Sequence, residues 1–167
     1  LYSDRFGWYP ASIYLPSVNT HPEALKLVRV GLTFLDLNND DIHSISINGK
    51  ELNYQYDSLK LSIQLNREYT RDEQYIITID YTAKPNELDI EGSDAITDAK
   101  GLYFVNPLGD EAKPQQIWTQ GETEANSVWF PTIDAPNSKS TQEMYITVQD
   151  KYVTLSNGKL VSSKKNT

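Results

Sequence analysis

A chain of 167 residues and 19.0 kDa is long enough for one domain with a substantial core. Its 38% hydrophobic and 23% charged residues exclude a disordered chain, and a formal charge of -8 argues against nucleic-acid backbones and anionic membranes as partners. No apolar run reaches the length of a membrane span, the opening residues do not read as a signal peptide, and without cysteine there is neither a disulfide framework nor a thiolate site.

In chain order, residues 1–16 are rich in aromatics (Tyr2, Phe6, Trp8, Tyr9, Tyr14) and run into a Pro-bounded loop through Pro22. Residues 25–35, LKLVRVGLTFL, place Leu25 and Leu27 on one parity and Val28, Val30, Leu32 and Phe34 on the other. That phase change predicts a bulged or doubly buried strand. Residues 36–41 form a turn. Ile45 and Ile47 then alternate with serines into Asn48-Gly49, a strong hairpin signal, with Leu52, Tyr54 and Tyr56 as the return strand. Leu59, Leu61, Ile63 and Leu65 alternate without a break, as do Tyr75, Ile77, Ile79 and Tyr81. Period two over four segments predicts an antiparallel sheet with one wet face.

Residues 84–100 are polar, acidic and aperiodic, and read as a long loop. Strands are predicted again at residues 102–105, 117–118, 144–148 and 152–155, the last turning at Asn157-Gly158. The one helical turn expected lies near residues 123–128, so helix should stay below a tenth of the chain. These elements specify an all-β fold, an antiparallel β-sandwich spanning residues 1–167 as a single domain. A start at Leu1 and a Lys-rich end, SSKKNT, read as a piece of a longer protein.

Catalytic patterns are missing. There is no His-Glu-x-x-His; His21 precedes Pro22 and His43 lies beside Ser44, so neither stands at metal-ligand spacing. Asp36, Asn38 and Asp40 open like a calcium loop, but Asp41 occupies the position of the sharp-turn glycine and Ile47 that of the bidentate Glu, so the run is read as an Asx-rich turn. No catalytic residue and no metal ligand is assigned to this chain.

The informative stretch is residues 117–136, IWTQGETEANSVWFPTIDAP. Trp118, Trp129 and Phe130 are expected to anchor it in the core, with a part in a substrate wall as the alternative; Gly121 lets the backbone bend, and Asp134, between two prolines' reach, serves as a turn acceptor. Thr119-Gln120-x-Glu122, then Phe130-Pro131-x-x-Asp134-x-Pro136, resembles the run near the end of the N-terminal domain of aminopeptidase N-type zinc aminopeptidases, the family that includes leukotriene hydrolase. Gly101-Leu-Tyr103 upstream and residues 145–148 and 155–158 downstream match the neighbouring strands and turn of that family, and the likeness runs from about Leu32 to Gly158. Two positions depart from it: Asn126-Ser127 replaces a usual basic residue, and Thr132 stands where Cys is common.

The resemblance implies a saddle-like N-terminal domain whose Gln120 and Glu122 bind substrate. Glu122 would pair with the free α-ammonium at a peptide N-terminus, and Gln120 would support it. It also implies partners and a cofactor outside this chain. The peptidase's own catalytic domain, with its zinc, its general-base Glu and a Gly-x-Met-Glu-Asn loop, would follow residue 167. No cofactor is expected in this chain, which would be inactive alone. An extracytoplasmic bacterial setting is the expectation, with the cytoplasm as alternative. Two readings compete: a free-standing carbohydrate- or peptide-binding sandwich using its eleven Tyr residues to stack on a ligand, and a structural β module of a cell-surface protein.

Overall fold

A computed structural model describes residues 11–15, 27–33, 41–70, 73–87, 99–110, 112–122, 124–135, 137 and 141–165. Residues 10–139 form one compact unit, and the described residues 141–165 belong to another.

The larger unit is an antiparallel all-β sandwich. Its first sheet runs β1 (Ala11–Leu15), β7 (Tyr75–Tyr81), β3 (Ile42–Ile47), β4 (Lys50–Glu51) in spatial order. The second runs β2 (Leu27–Thr33), β6 (Lys60–Tyr69), β5 (Tyr54–Tyr56). A separate two-stranded ribbon joins β8 (Leu102–Val105) to β9 (Gln116–Thr119). Period-two alternation turns one side of each main strand inward. Leu61, Ile63 and Leu65 of β6 meet Ile77 and Ile79 of β7 and Ile45 and Ile47 of β3 in a single apolar cluster.

Bulges adjust which residues face that core. The register slips between Leu27 and Arg29 where β2 pairs β6, the phase change expected from the sequence. A second slip, between Ile42 and Ser44, brings Ile42 inward together with Ile45, although only His43 and Ser44 lie between them. At the same end, the buried Asp41 carboxylate takes the Lys84 ammonium at 2.6 Å, and its carbonyl accepts the Thr82 N–H. The ends of β3 and β7 are tied there.

The Asn48-Gly49 hairpin forms as expected, with φ of +51° and +75° between paired Ile47 and Lys50. Its return arm is shorter than the sequence suggests. Leu52 still donates to the Ile45 carbonyl, but the Asn53 carbonyl accepts the Gln64 N–H of the opposite sheet. The chain therefore changes sheets at Leu52–Asn53, and Tyr54 and Tyr56 pair with β6. The four alternating segments thus make the two sheets of a sandwich and not one sheet with a wet face. Strand β1, unforeseen in the aromatic opening run, closes the first sheet beside β7.

Two further expectations need correction. Residues 144–148 and 152–155 carry strand-like alternation, yet no strand occurs among the described residues 141–165. Tyr145 is 89% exposed, Val153 97% and Leu155 95%, so the alternation has no buried side to create. Alternation becomes a strand only with a ladder partner and a core to face. The Asx-rich run 36–40 and His21 lie outside the described residues.

Ile77 is fully buried on the central strand β7, between β1 and β3. Ile77→Ala should lower unfolding stability by about 2–5 kcal/mol, the range for truncating a core aliphatic. Urea denaturation followed by far-UV circular dichroism checks this; a loss below ~1 kcal/mol would mean that the sandwich core is not packed as described.

Candidate functional site

The ribbon β8–β9 carries the stretch singled out in the sequence. Leu102 pairs Thr119, Tyr103 pairs Trp118, Phe104 pairs Ile117 and Val105 pairs Gln116. The connection between the strands is held by its own polar groups. Buried Asn106, at φ +49°, donates from Nδ2 to the Lys113 carbonyl at 2.6 Å; Gln115 Nε2 donates to the Pro107 carbonyl, and Gly109 N to the Asn106 carbonyl. Asn tolerates the left-handed region better than other side-chain-bearing residues, which suits it to this corner.

Beyond Thr119 the chain stays pinned for one more residue: the Gln120 N–H donates to the Gly101 carbonyl at 2.9 Å. The Gly121 carbonyl then accepts the Ala125 N–H, closing a turn that leads into the 3-10 segment Asn126–Val128. That short turn is the one expected near residues 123–128. Asp134 Oδ2 accepts the Ser127 N–H at 2.7 Å, and Ser127 Oγ donates to the Glu124 carbonyl. Asp134 thereby ties the Phe-Pro end of the stretch back to the turn, the acceptor role expected from its sequence position.

Two glycines let these pieces approach. Gly101 has φ +68°, and a Cβ there would sit 2.8 Å from Trp129 Cδ1 and 3.0 Å from the Ala125 carbonyl carbon. Gly121 is crowded differently: a Cβ would meet the Asn126 side chain, 2.6 Å from its Cγ. Asn126 was visible in the sequence only as a departure from a basic residue; in the fold it is the side chain packed against the Gln120–Glu122 bend. Gly121→Ala should cost about 1 kcal/mol as Asn126 swings aside, and much less in an Asn126→Ala background. A cost that Asn126→Ala leaves unchanged would contradict this packing.

Gln120 is half-buried as the chain leaves the ribbon, and Glu122 is exposed at the bend. Neither side chain has a hydrogen-bond or ion-pair partner among the described residues. Glu73 is the contrast. It accepts from the Thr70 N–H and from Arg67 at 2.7 Å, and these bonds, the Thr70 one first, hold its carboxyl below the usual carboxylate range. Its charge is used inside the domain, whereas that of Glu122 faces outward.

The aromatic residues divide. Trp129 and Phe130 are half-buried and meet edge to face at 4.6 Å between centroids. Trp118 is not a core residue: it is 44% exposed and lies nearly parallel to Tyr103, centroids 4.4 Å apart. Strand β9 is exposed at every position, so one ring side of Trp118 is covered by its cross-strand partner and nothing in the ribbon covers the rest. Ile117 and Ile133, at 45% and 44%, add to the apolar surface of this region.

Among the described residues no group of three or more His, Asp or Glu is placed to hold a metal ion. His43, an exposed strand residue, shares a 2.8 Å hydrogen bond with Thr82 Oγ1. Two surface depressions, one between Arg67, Tyr69 and Tyr75 and one between Tyr54, Gln55 and Gln64, lie on the sandwich and include neither Gln120 nor Glu122. No described helix is long and apolar enough to cross a membrane.

The Peptidase M1 N-terminal domain family matches residues 18–167. The chain belongs to that family. No curated protein and no solved structure was found to match it. As an M1 N-terminal domain it is part of an M1 aminopeptidase, a class of metallopeptidase hydrolases, and the antiparallel all-β fold agrees. The match also begins earlier than the likeness read from the motifs, which started near Leu32, and so takes in β2 whole.

Proposed function

We propose that this M1 N-terminal domain anchors peptide N-termini for a zinc-dependent aminopeptidase and has no peptidase activity alone. Glu122 receives the substrate's α-ammonium, and Gln120 supports it through a neutral hydrogen bond. The supporting observation is the exposed Glu122 carboxylate, without a partner among the described residues, on a bend whose two sides are fixed, by the Gly101–Gln120 bond and by Asp134 on Ser127. A carboxylate held out on a rigid loop and then covered by a second domain loses water. Its attraction for a cation rises in that drier setting, and charge-assisted bonds are the strong ones. Holding the ammonium also positions the first peptide bond, which converts binding into rate.

Zinc does not fit the residues of this chain: two His, no Cys and no His-Glu-x-x-His offer no ligand set. We place the metal, the general base and the Gly-x-Met-Glu-Asn loop in a catalytic domain after residue 167. That domain would cover the apolar surface around Ile117, Trp118 and Ile133. The isolated chain should therefore hold no stoichiometric zinc and hydrolyse no aminoacyl anilide. One tightly bound zinc per chain by metal analysis, together with turnover, would overturn this assignment.

One observation favours the second reading, a carbohydrate- or peptide-binding sandwich. An exposed Trp118 backed by Tyr103 is the kind of flat aromatic surface on which a sugar ring stacks. Saturable glycan binding lost in Trp118→Ala but kept in Glu122→Gln would favour that reading over the ammonium anchor.

A further inference from the structure

Asn-Gly occurs twice in the chain, at residues 48–49 and 157–158, and each pair is followed by lysine (Lys50, Lys159). The fold treats the two differently. Asn48 and Gly49 sit in the left-handed region between hydrogen-bonded Ile47 and Lys50, and β3 is paired along its other side with β7. Asn157 and Gly158 are exposed, Gly158 has φ +89°, and no ladder holds either side of them among the described residues 141–165. Their apolar neighbours Leu155 and Leu160 are exposed as well, at 95% and 78%.

We propose that Asn157 is a site of spontaneous deamidation and that the hairpin protects Asn48 from the same reaction. In this chemistry the deprotonated main-chain nitrogen of Gly158 attacks Cγ of Asn157. A C–N bond forms, the Cγ–Nδ2 bond breaks, and ammonia leaves with a proton, giving a five-membered succinimide. Water then opens the ring at either carbonyl, yielding aspartate or isoaspartate. Water is the only co-reactant, and the balance is amide plus water to carboxylate plus ammonium. Glycine matters because it puts no side chain in the path of the attacking nitrogen.

The attack needs the Asn Cα–C bond rotated so that the next nitrogen comes level with Cβ and lies over Cγ. In a mirror-image hairpin turn ψ of the first central residue is about +30°, which turns that nitrogen away. Asn48 must leave its turn, breaking the Ile47–Lys50 pairing, before it reacts. Asn157 has no ladder pairing to break among the described residues. A modest opening requirement of ~1.4 kcal/mol separates the two rates by about tenfold. Conversion at Asn157 introduces a new negative charge beside Lys159, and the isoaspartyl product lengthens the main chain by one carbon at the bend.

The test is to incubate the chain in mildly alkaline buffer, with and without concentrated urea, and to follow both Asn-Gly sites by peptide mapping and mass spectrometry. In native buffer Asn157 should convert to aspartate and isoaspartate about tenfold or more faster than Asn48. In urea the two rates should converge, because the hairpin is gone. Gly158→Ala should slow conversion at Asn157 and leave Asn48 unchanged. Equal rates in native buffer, or conversion at Asn48 alone, would overturn the proposal. So would an unchanged ratio in urea, which would assign the difference to the preceding residues, Ile47 and Ser156, and not to the fold.

Discussion

Replacing Glu122 by Gln in the full-length enzyme should lower kcat/KM for free-amine peptides by roughly ten- to a few hundredfold. The replacement keeps size and hydrogen-bonding capacity and removes the charge. A hydrogen bond to a charged group contributes about 1.5–3 kcal/mol, and each 1.4 kcal/mol is about tenfold. Zinc content should not change, because Glu122 is not a ligand in this account. Unfolding stability should stay within about 0.5 kcal/mol, since the side chain is exposed and has no partner among the described residues. Gln120→Ala should cost less activity, because it removes a neutral partner. A Gln120→Ala loss larger than that of Glu122→Gln would reverse the two roles.

The second large effect concerns stability and needs only this chain. Gly101→Ala places a Cβ at φ +68°, a conformation that costs a residue with a side chain about 1–2 kcal/mol. The same Cβ meets the Ala125 carbonyl and Trp129, and overpacking of that kind costs about 1–3 kcal/mol. Together the expected loss is about 2–5 kcal/mol, read as a lower urea midpoint at unchanged slope. Trp129 emission should report the same transition. An unchanged midpoint would mean that the ribbon and the 125–129 turn do not pack together. Because Gly101 also receives the Gln120 N–H, the variant should impair the Glu122 bend along with the fold.

Ile77 and Ile79 alternate with the outward-facing Ile76, Thr78 and Asp80, and both are wholly buried; Leu61 and Ile63 alternate with polar residues and are buried likewise on the facing sheet. Local period two marks such strands where a facing sheet buries the apolar side; the same alternation at residues 144–148 and 152–155 forms no strand. Strand β1 was not legible, since its partner residues on β7 lie sixty or more positions away in the chain and no local pattern marks that pairing. The sheet change at Leu52–Asn53 was hidden for a similar reason: Tyr54 and Tyr56 continue the alternation of Leu52 while their partner switches from β3 to β6.

At the site, Gln120, Glu122 and Asp134 were readable as a motif, and the contacts that support them were not. Gly101 belonged to a matching strand, but its role depends on Ala125 and Trp129, which reach it only through the turn. Asn126 against Gly121 is equally a product of the bend. Trp118 misled for the opposite reason. A large aromatic suggests burial, but every residue of β9 is exposed and Tyr103 covers one ring face of Trp118 alone, so position in the fold outweighs side-chain hydrophobicity.

The most direct measurement of the ammonium anchor compares a free-amine peptide with its N-acetylated form, in the full-length enzyme and in Glu122→Gln. The acetylated substrate carries no charge for Glu122 to meet. Glu122→Gln should lower kcat/KM roughly ten- to a few hundredfold on the free amine and change the slow acetylated reaction little. Equal losses on both substrates would show that Glu122 supports the fold or the zinc domain and not the substrate's ammonium.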